Sequence, residues 1–131
     1  MANVDHLRTQ TLALSRELSD IRLVRSWLID ELRARPLEPE IVDDVALMAS
    51  ELLANAIRHT TSAPTLTLVV GVDDVVVAVH DDDPRLPEVL PIDVERPSGN
   101  GMRIVDAWSD RWGVDVDEED GKTVWFTVAC G

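Results

Sequence analysis

The sequence is short of basic residues, of cysteine and of long hydrophobic runs, and each shortage excludes a class of protein. It has 12 lysines and arginines against 25 aspartates and glutamates, a net charge of −13. This argues against nucleic acid or an anionic membrane as a partner, because both attract basic proteins. The single cysteine, Cys130, allows no internal disulfide, so we expect a reducing, cytoplasmic environment. No apolar stretch approaches the roughly 20 residues of a membrane-spanning helix, and no signal-peptide pattern opens the chain.

The remaining composition favours one folded domain over residues 1–131. Hydrophobic residues make up 45% of the chain, enough to bury a core. The patterning predicts an edge strand at 9–14, helices at 19–35 and 39–59, a hairpin at 65–80, a long loop at 82–98, a helix at 101–108 and a closing hairpin at 111–128. Strands joined by short turns, with helices in blocks, favour an α+β two-layer sandwich: a mixed, mostly antiparallel sheet covered by helices on one face.

Apolar spacing predicts which side of each helix faces the core. The first helix repeats Leu23, Trp27, Leu28 and Leu32, and the third repeats Met102, Val105 and Trp108. The second helix has the strongest stripe, formed by Val42, Val45, Ala46, Ala49, Leu52, Leu53, Ala56 and Ile57.

A row of polar residues runs beside the stripe of the second helix. Glu51, Asn55 and His59 recur every four residues, which aligns them along one side. An amide oxygen suits Mg²⁺, and a carboxylate can take a proton from a nearby hydroxyl. The alternative interpretation is an ordinary solvated face, so the row alone decides little.

Two further segments have functional and ordinary interpretations. The apolar strand 75–80 delivers Asp81 to the edge of the layer, where a carboxylate can accept a hydrogen bond from the adenine amine; the alternative is a plain acidic turn. Gly99-Asn100-Gly101 opens a helix, and free N–H groups at a helix start bind phosphate. A lone Gly-x-Gly can also be a hinge.

One match to a known motif fails. Gly121-Lys122-Thr123 resembles the end of a P-loop, but position 116 is valine where the first glycine is required. The residues that follow have a strand pattern, whereas a P-loop leads into a helix. We therefore reject this interpretation.

In this order and spacing, the segments resemble the nucleotide site of the GHKL, or histidine kinase-like, ATPases (Bergerat fold). The stretch 50–59 is similar to the N box, which implies Glu51 as general base, Asn55 as Mg²⁺ ligand and a basic residue at His59. Asp81 matches the adenine-binding aspartate of the G1 box, although 81–85 has no glycine where the family has Asp-x-Gly-x-Gly. Asp83 lies in the same segment, and the resemblance implies that it contributes to cofactor binding.

The second half of the resemblance lies after the long loop. The stretch 99–105 is similar to the G2 box, which implies phosphate contacts from Gly99, Asn100, Gly101 and Met102, and 82–98 corresponds to the ATP lid. The stretch 121–125 is similar to the last motif, whose threonine, here Thr123, helps to hold adenine through water. The implied cofactors are ATP and Mg²⁺.

The short chain, without a dimerisation hairpin or large added domains, is most similar to the anti-sigma-factor serine/threonine kinases. This resemblance implies phosphorylation of a STAS-type anti-anti-sigma protein, binding of a sigma factor, and relatives that are often dimers, so a homodimer is compatible with it. Two alternatives remain open: a nucleotide-dependent switch that does not turn over, and a protein-binding module that has lost ATP.

Overall fold

The computed structural model describes residues 8–13, 19–59, 63–86, 101–117 and 119–130. In chain order, these residues form β1 (Arg8–Ala13), α1 (Ser19–Arg33), α2 (Pro39–His59), β2 (Thr65–Val70), β3 (Asp74–Asp81), α3 (Gly101–Trp108), β4 (Arg111–Asp117) and β5 (Gly121–Ala129). The predicted elements are therefore present, with α1 ending two residues before the predicted boundary. A P-loop leads into a helix, but Gly121-Lys122-Thr123 opens the strand β5. The structure therefore agrees with the rejection of that motif.

The five described strands form one sheet in the order β1-β2-β3-β5-β4. All four neighbouring pairs are antiparallel, so the predicted α+β sandwich is confirmed, and the described part of its sheet has no parallel pair. The two hairpins meet where β3 pairs with β5. The edge strand predicted at the start of the chain is β1, which pairs with β2.

The helix α2 lies over the centre of the sheet and contacts β3 and β5. Pro39 occupies its first turn, where the missing N–H has no cost. All eight residues of the predicted stripe are at most 7% exposed, and Met48 is buried with them. On the sheet, every second residue of β2 and β3 is buried. The core therefore lies between this single helix layer and one face of the sheet.

Two predicted core residues lie elsewhere. Leu23 is 68% exposed, and Val24 takes its place beside Leu28. At 3.6 residues per turn, Leu23 lies about 140° around the helix from Leu28, whereas Val24 lies only about 40° away. Trp108 is 49% exposed for the same reason, since it lies about 120° around α3 from the buried Met102.

Among the residues that the structure describes, no helix combines the length and the apolar character needed to cross a membrane.

Candidate functional site

The N-terminus of α3 lies directly against the polar row of α2. Gly101 is buried, and a Cβ atom added to it would lie 2.6 Å from Glu51 Oε2 and 3.0 Å from Glu51 Cβ. Only glycine allows the two helices to approach this closely without a shift of Glu51. The half-buried Glu51 carboxylate therefore lies beside the positive end of the α3 dipole. Two segments that are distant in sequence are thus brought together.

Asn55 lies one turn further along α2 and is half-buried. Its Oδ1 atom accepts a hydrogen bond of 2.6 Å from Arg58 Nη2, so the oxygen predicted to bind Mg²⁺ is engaged by a guanidinium group. His59 ends the helix, and its side chain lies outside the described part of the structure. Within the described ranges, no group of three or more His, Cys, Asp or Glu side chains could hold a metal ion.

Asp81 ends β3 with its side chain on the buried face of the sheet and is 3% exposed. Lys122 of β5 is its direct cross-strand partner, and Lys122 Nζ donates to Asp81 Oδ1 at 2.9 Å. The same oxygen accepts from the Asp83 backbone N–H at 2.9 Å, and Lys122 Nζ also donates to the Asp83 carbonyl at 2.8 Å. The carboxylate predicted to bind adenine is thus part of an internal network.

The carboxylate of Asp83 is bound by Arg85. Arg85 donates to it through its guanidinium group and through its backbone N–H. These bonds, the side-chain ones first, hold the pKa of Asp83 far below its ordinary value. The Asp83 carboxylate, assigned to cofactor binding by the resemblance, is therefore paired with Arg85, while the Asp83 backbone contacts Lys122.

The structure does not place Thr123 beside Asp81. Thr123 Oγ1 lies 3.0 Å from His80 Nδ1, and these two residues are cross-strand partners on the sheet face opposite to Asp81. Side chains alternate between the faces of a strand, so the residue of β5 that meets Asp81 is Lys122. The alternation of Val124, Phe126 and Val128, all buried, places Lys122 on the buried face of β5, although the family resemblance implies no role for Lys122.

The remaining predicted contacts belong to the G2 segment. Gly99 and Asn100 lie outside the described residues, as does the predicted lid from residue 87 onward. Met102 is 2% exposed and its side chain packs in the core, so any contact with a phosphate would come from its backbone N–H. The structure therefore brings Glu51 and Gly101 together, places Asp81 with Lys122, and separates Thr123 from both.

The described residues thus form a two-layer sandwich in which the polar side of α2 lies against a helix that begins with glycine, and a buried aspartate ends the central strand β3. The sequence matches the family model described as the histidine kinase-like ATPase domain over residues 14–128. The chain belongs to this family, as the resemblance predicted.

One similar solved structure is that of the RsbU and RsbW domains of Rv1364c from Mycobacterium tuberculosis. The TM-score is 0.72 at 16% sequence identity, and the similarity covers 94% of this chain but 32% of the other. The chain thus spans about a third of that protein, and at this identity the likeness concerns the fold. A search of curated proteins finds no significant sequence match.

Proposed function

We propose that the chain is a cytoplasmic, ATP-binding anti-sigma-factor kinase that phosphorylates a serine or threonine of a STAS-type anti-anti-sigma protein and binds a sigma factor. The observation that carries this proposal is the position of the Glu51 carboxylate against the N-terminus of α3. It places a proton acceptor next to the backbone amides that suit phosphate. The fold similarity to a structure described as containing an RsbW domain supports the choice of this branch.

The position of a residue in the site supports each proposed role. When bound, Mg·ATP would supply the transferable phosphoryl group, and its metal ion would offset part of the phosphate charge. The backbone N–H groups at the start of α3, from Gly101 onward, would bind phosphate oxygens. Asn55 would exchange its Arg58 partner for the metal ion. Glu51 would accept the proton of the attacking hydroxyl. Catalysis of this type depends mainly on positioning and charge stabilisation.

The test compares Glu51→Gln with Asn55→Ala in a phosphotransfer assay with the cognate STAS protein and in a parallel ATP titration. We expect Glu51→Gln to lower transfer by about 10²–10⁴-fold, the usual contribution of a general base, and to retain most of the ATP affinity. Asn55→Ala should lose both metal-dependent binding and transfer. Glu40→Gln, an exposed change in the first turn of the same helix, is the matched control and should behave like the wild type.

Equal transfer rates for the wild type and Glu51→Gln would show that Glu51 is not the base. The wild type must first transfer phosphate to its genuine partner, because an incorrect STAS protein also gives no signal.

A second candidate is a nucleotide-dependent switch that binds a partner without turnover. It is favoured by the internal cations at both predicted ligand residues, Arg58 at Asn55 and Lys122 at Asp81. ATP binding by the wild type, without phosphorylation of any STAS partner, would select this function over the kinase.

A further inference from the structure

We propose that Lys122 sets the affinity of the nucleotide site, because its ammonium group competes with the adenine amine for the Asp81 carboxylate and so weakens ATP binding. The inference rests on the proposed ATP-binding function and on the proposed hydrogen bond between the adenine amine and Asp81. It concerns a residue for which the sequence comparison with the family implied no role.

The geometry leaves little of Asp81 accessible to a ligand. Asp81 is 3% exposed and Lys122 is 6% exposed. Lys122 and the Asp83 backbone both donate to Oδ1, and the bond from Lys122 to the Asp83 carbonyl ties the start of the following loop to the pair. An adenine that reaches this carboxylate must therefore displace Lys122 or bind beside it. In the second case it binds to a carboxylate whose charge Lys122 already offsets.

The chemistry makes this competition unequal. A hydrogen bond between an ammonium and a carboxylate has two charged partners, whereas the adenine amine is neutral. Bonds of the first kind are roughly twice as strong as those between neutral groups. When an uncharged residue replaces Lys122, the Asp81 carboxylate has no cationic partner at this position. The adenine amine can then donate the hydrogen bond that Lys122 donates in the wild type. Affinity for ATP should then rise although the protein has lost a positive charge.

A purely structural role for the pair leads to a different expectation. Removing one member of a buried ion pair destabilises a fold, because the other charge is left without its partner. If stability were the only role of Lys122, its loss would lower the melting temperature and leave ATP affinity unchanged or reduced. Melting temperature and ATP affinity, measured on the same variants, therefore distinguish competition with adenine from a purely structural role.

The experiment is isothermal titration of the full chain with Mg·ATP for a series at position 122. We expect Lys122→Met and Lys122→Thr to bind ATP about fivefold more tightly than the wild type, which corresponds to the difference between a charged and a neutral partner. Lys122→Arg should bind several-fold more weakly, since guanidinium pairs with carboxylate in a bidentate manner. In thermal denaturation, the neutral variants should melt lower without nucleotide and gain more from Mg·ATP.

Two controls isolate the role of Asp81. Arg111→Met removes an exposed cation from β4, so it reproduces the change of net charge without touching the pair. It should bind ATP no more tightly than the wild type. The double variant Asp81→Asn, Lys122→Met removes the carboxylate as well and should lose the gain in affinity.

Each outcome decides between the hypotheses. Unchanged or weaker ATP binding by folded Lys122→Met and Lys122→Thr, with a wild type that binds, overturns the inference and leaves the proposed function standing. ATP binding by the neutral variants, together with a wild type that shows none, supports both. If neither the wild type nor any variant binds ATP, the proposed function fails and the inference fails with it. Should the neutral variants not fold, tighter or equal binding by Lys122→Arg overturns the inference.

Discussion

At the scale of single residues, the buried pair of Asp81 and Lys122 changes what a substitution at the predicted adenine site should do. From the sequence alone, Asp81→Asn is expected to weaken nucleotide binding and to leave the fold untouched. In the structure, the carboxylate also offsets the charge of a lysine that is 6% exposed. The neutral amide retains an acceptor for Lys122 but not its counter-charge.

We therefore predict that Asp81→Asn lowers the free energy of unfolding by about 2–4 kcal/mol, because breaking a buried pair costs roughly 3–5 kcal/mol when one partner is removed and asparagine still accepts a hydrogen bond. Denaturant titration at neutral pH without nucleotide measures this loss. Adding Lys122→Met to the same chain should recover part of it, since the uncompensated charge is removed. Full stability of Asp81→Asn would mean that the pair contributes nothing to the fold.

At the scale of secondary-structure elements, β5 begins with a glycine that lies against the backbone at the end of β3. Gly121 has φ = 102°, and a Cβ atom added to it would lie 2.0 Å from the Asp81 carbonyl oxygen and 2.6 Å from Asp82 Cα. Both obstacles are backbone atoms, which cannot rotate away as a side chain can. In the β3–β5 register, Lys122 follows this close approach directly and faces Asp81.

Gly121→Ala should accordingly be among the more damaging single substitutions in the chain. The left-handed φ alone costs about 1–3 kcal/mol for a residue with a side chain, and the backbone overlap adds to it. We expect a clear fall in melting temperature or a loss of soluble expression. Gly71→Ala is the matched control, because Gly121 is the one glycine with positive φ among the described residues; it should change stability by less than about 1 kcal/mol. Similar losses for both variants would contradict this account.

At the scale of the whole molecule, the charge of −13 has to be reconciled with an anionic ligand. The features available for this are the dipole of α3, backbone amides and a metal ion that arrives with the nucleotide. Binding should therefore depend strongly on Mg²⁺.

Mg·ATP should raise the melting temperature of the wild type, by an amount that corresponds to about 2.7 kcal/mol at 100 times the dissociation constant. Mg·GTP should raise it less, because Asp81 can accept from the adenine amine but not from the guanine carbonyl. Chelation of Mg²⁺ should reduce the effect of ATP. Thermal denaturation suits this test better than Trp108 fluorescence, since Trp108 lies about 10 Å along α3 from Gly101. Equal shifts for the two nucleotides would remove the role given to Asp81.

Much of the architecture follows from local patterns in the sequence. The stripe of α2 matches the buried face because eight apolar residues with helical period leave one orientation that removes them from water. The two hairpins follow from apolar alternation and short turns in the same way. The prediction was wrong for Leu23 and Trp108, which are exposed. A single apolar residue beside the stripe or at the end of a helix has little influence on how the helix packs.

The sequence by itself determined the order of the elements, the two-layer class, the family and the segments from which the candidate site is built, because each depends on residues close together in the chain. Only the tertiary structure decided how those segments meet. Strand register places Lys122, and not Thr123, beside Asp81, since a shift of one residue moves a side chain to the other face of the sheet. Close packing of two helices places Glu51 against Gly101. Both arrangements depend on contacts between distant parts of the chain, and no local pattern specifies such contacts.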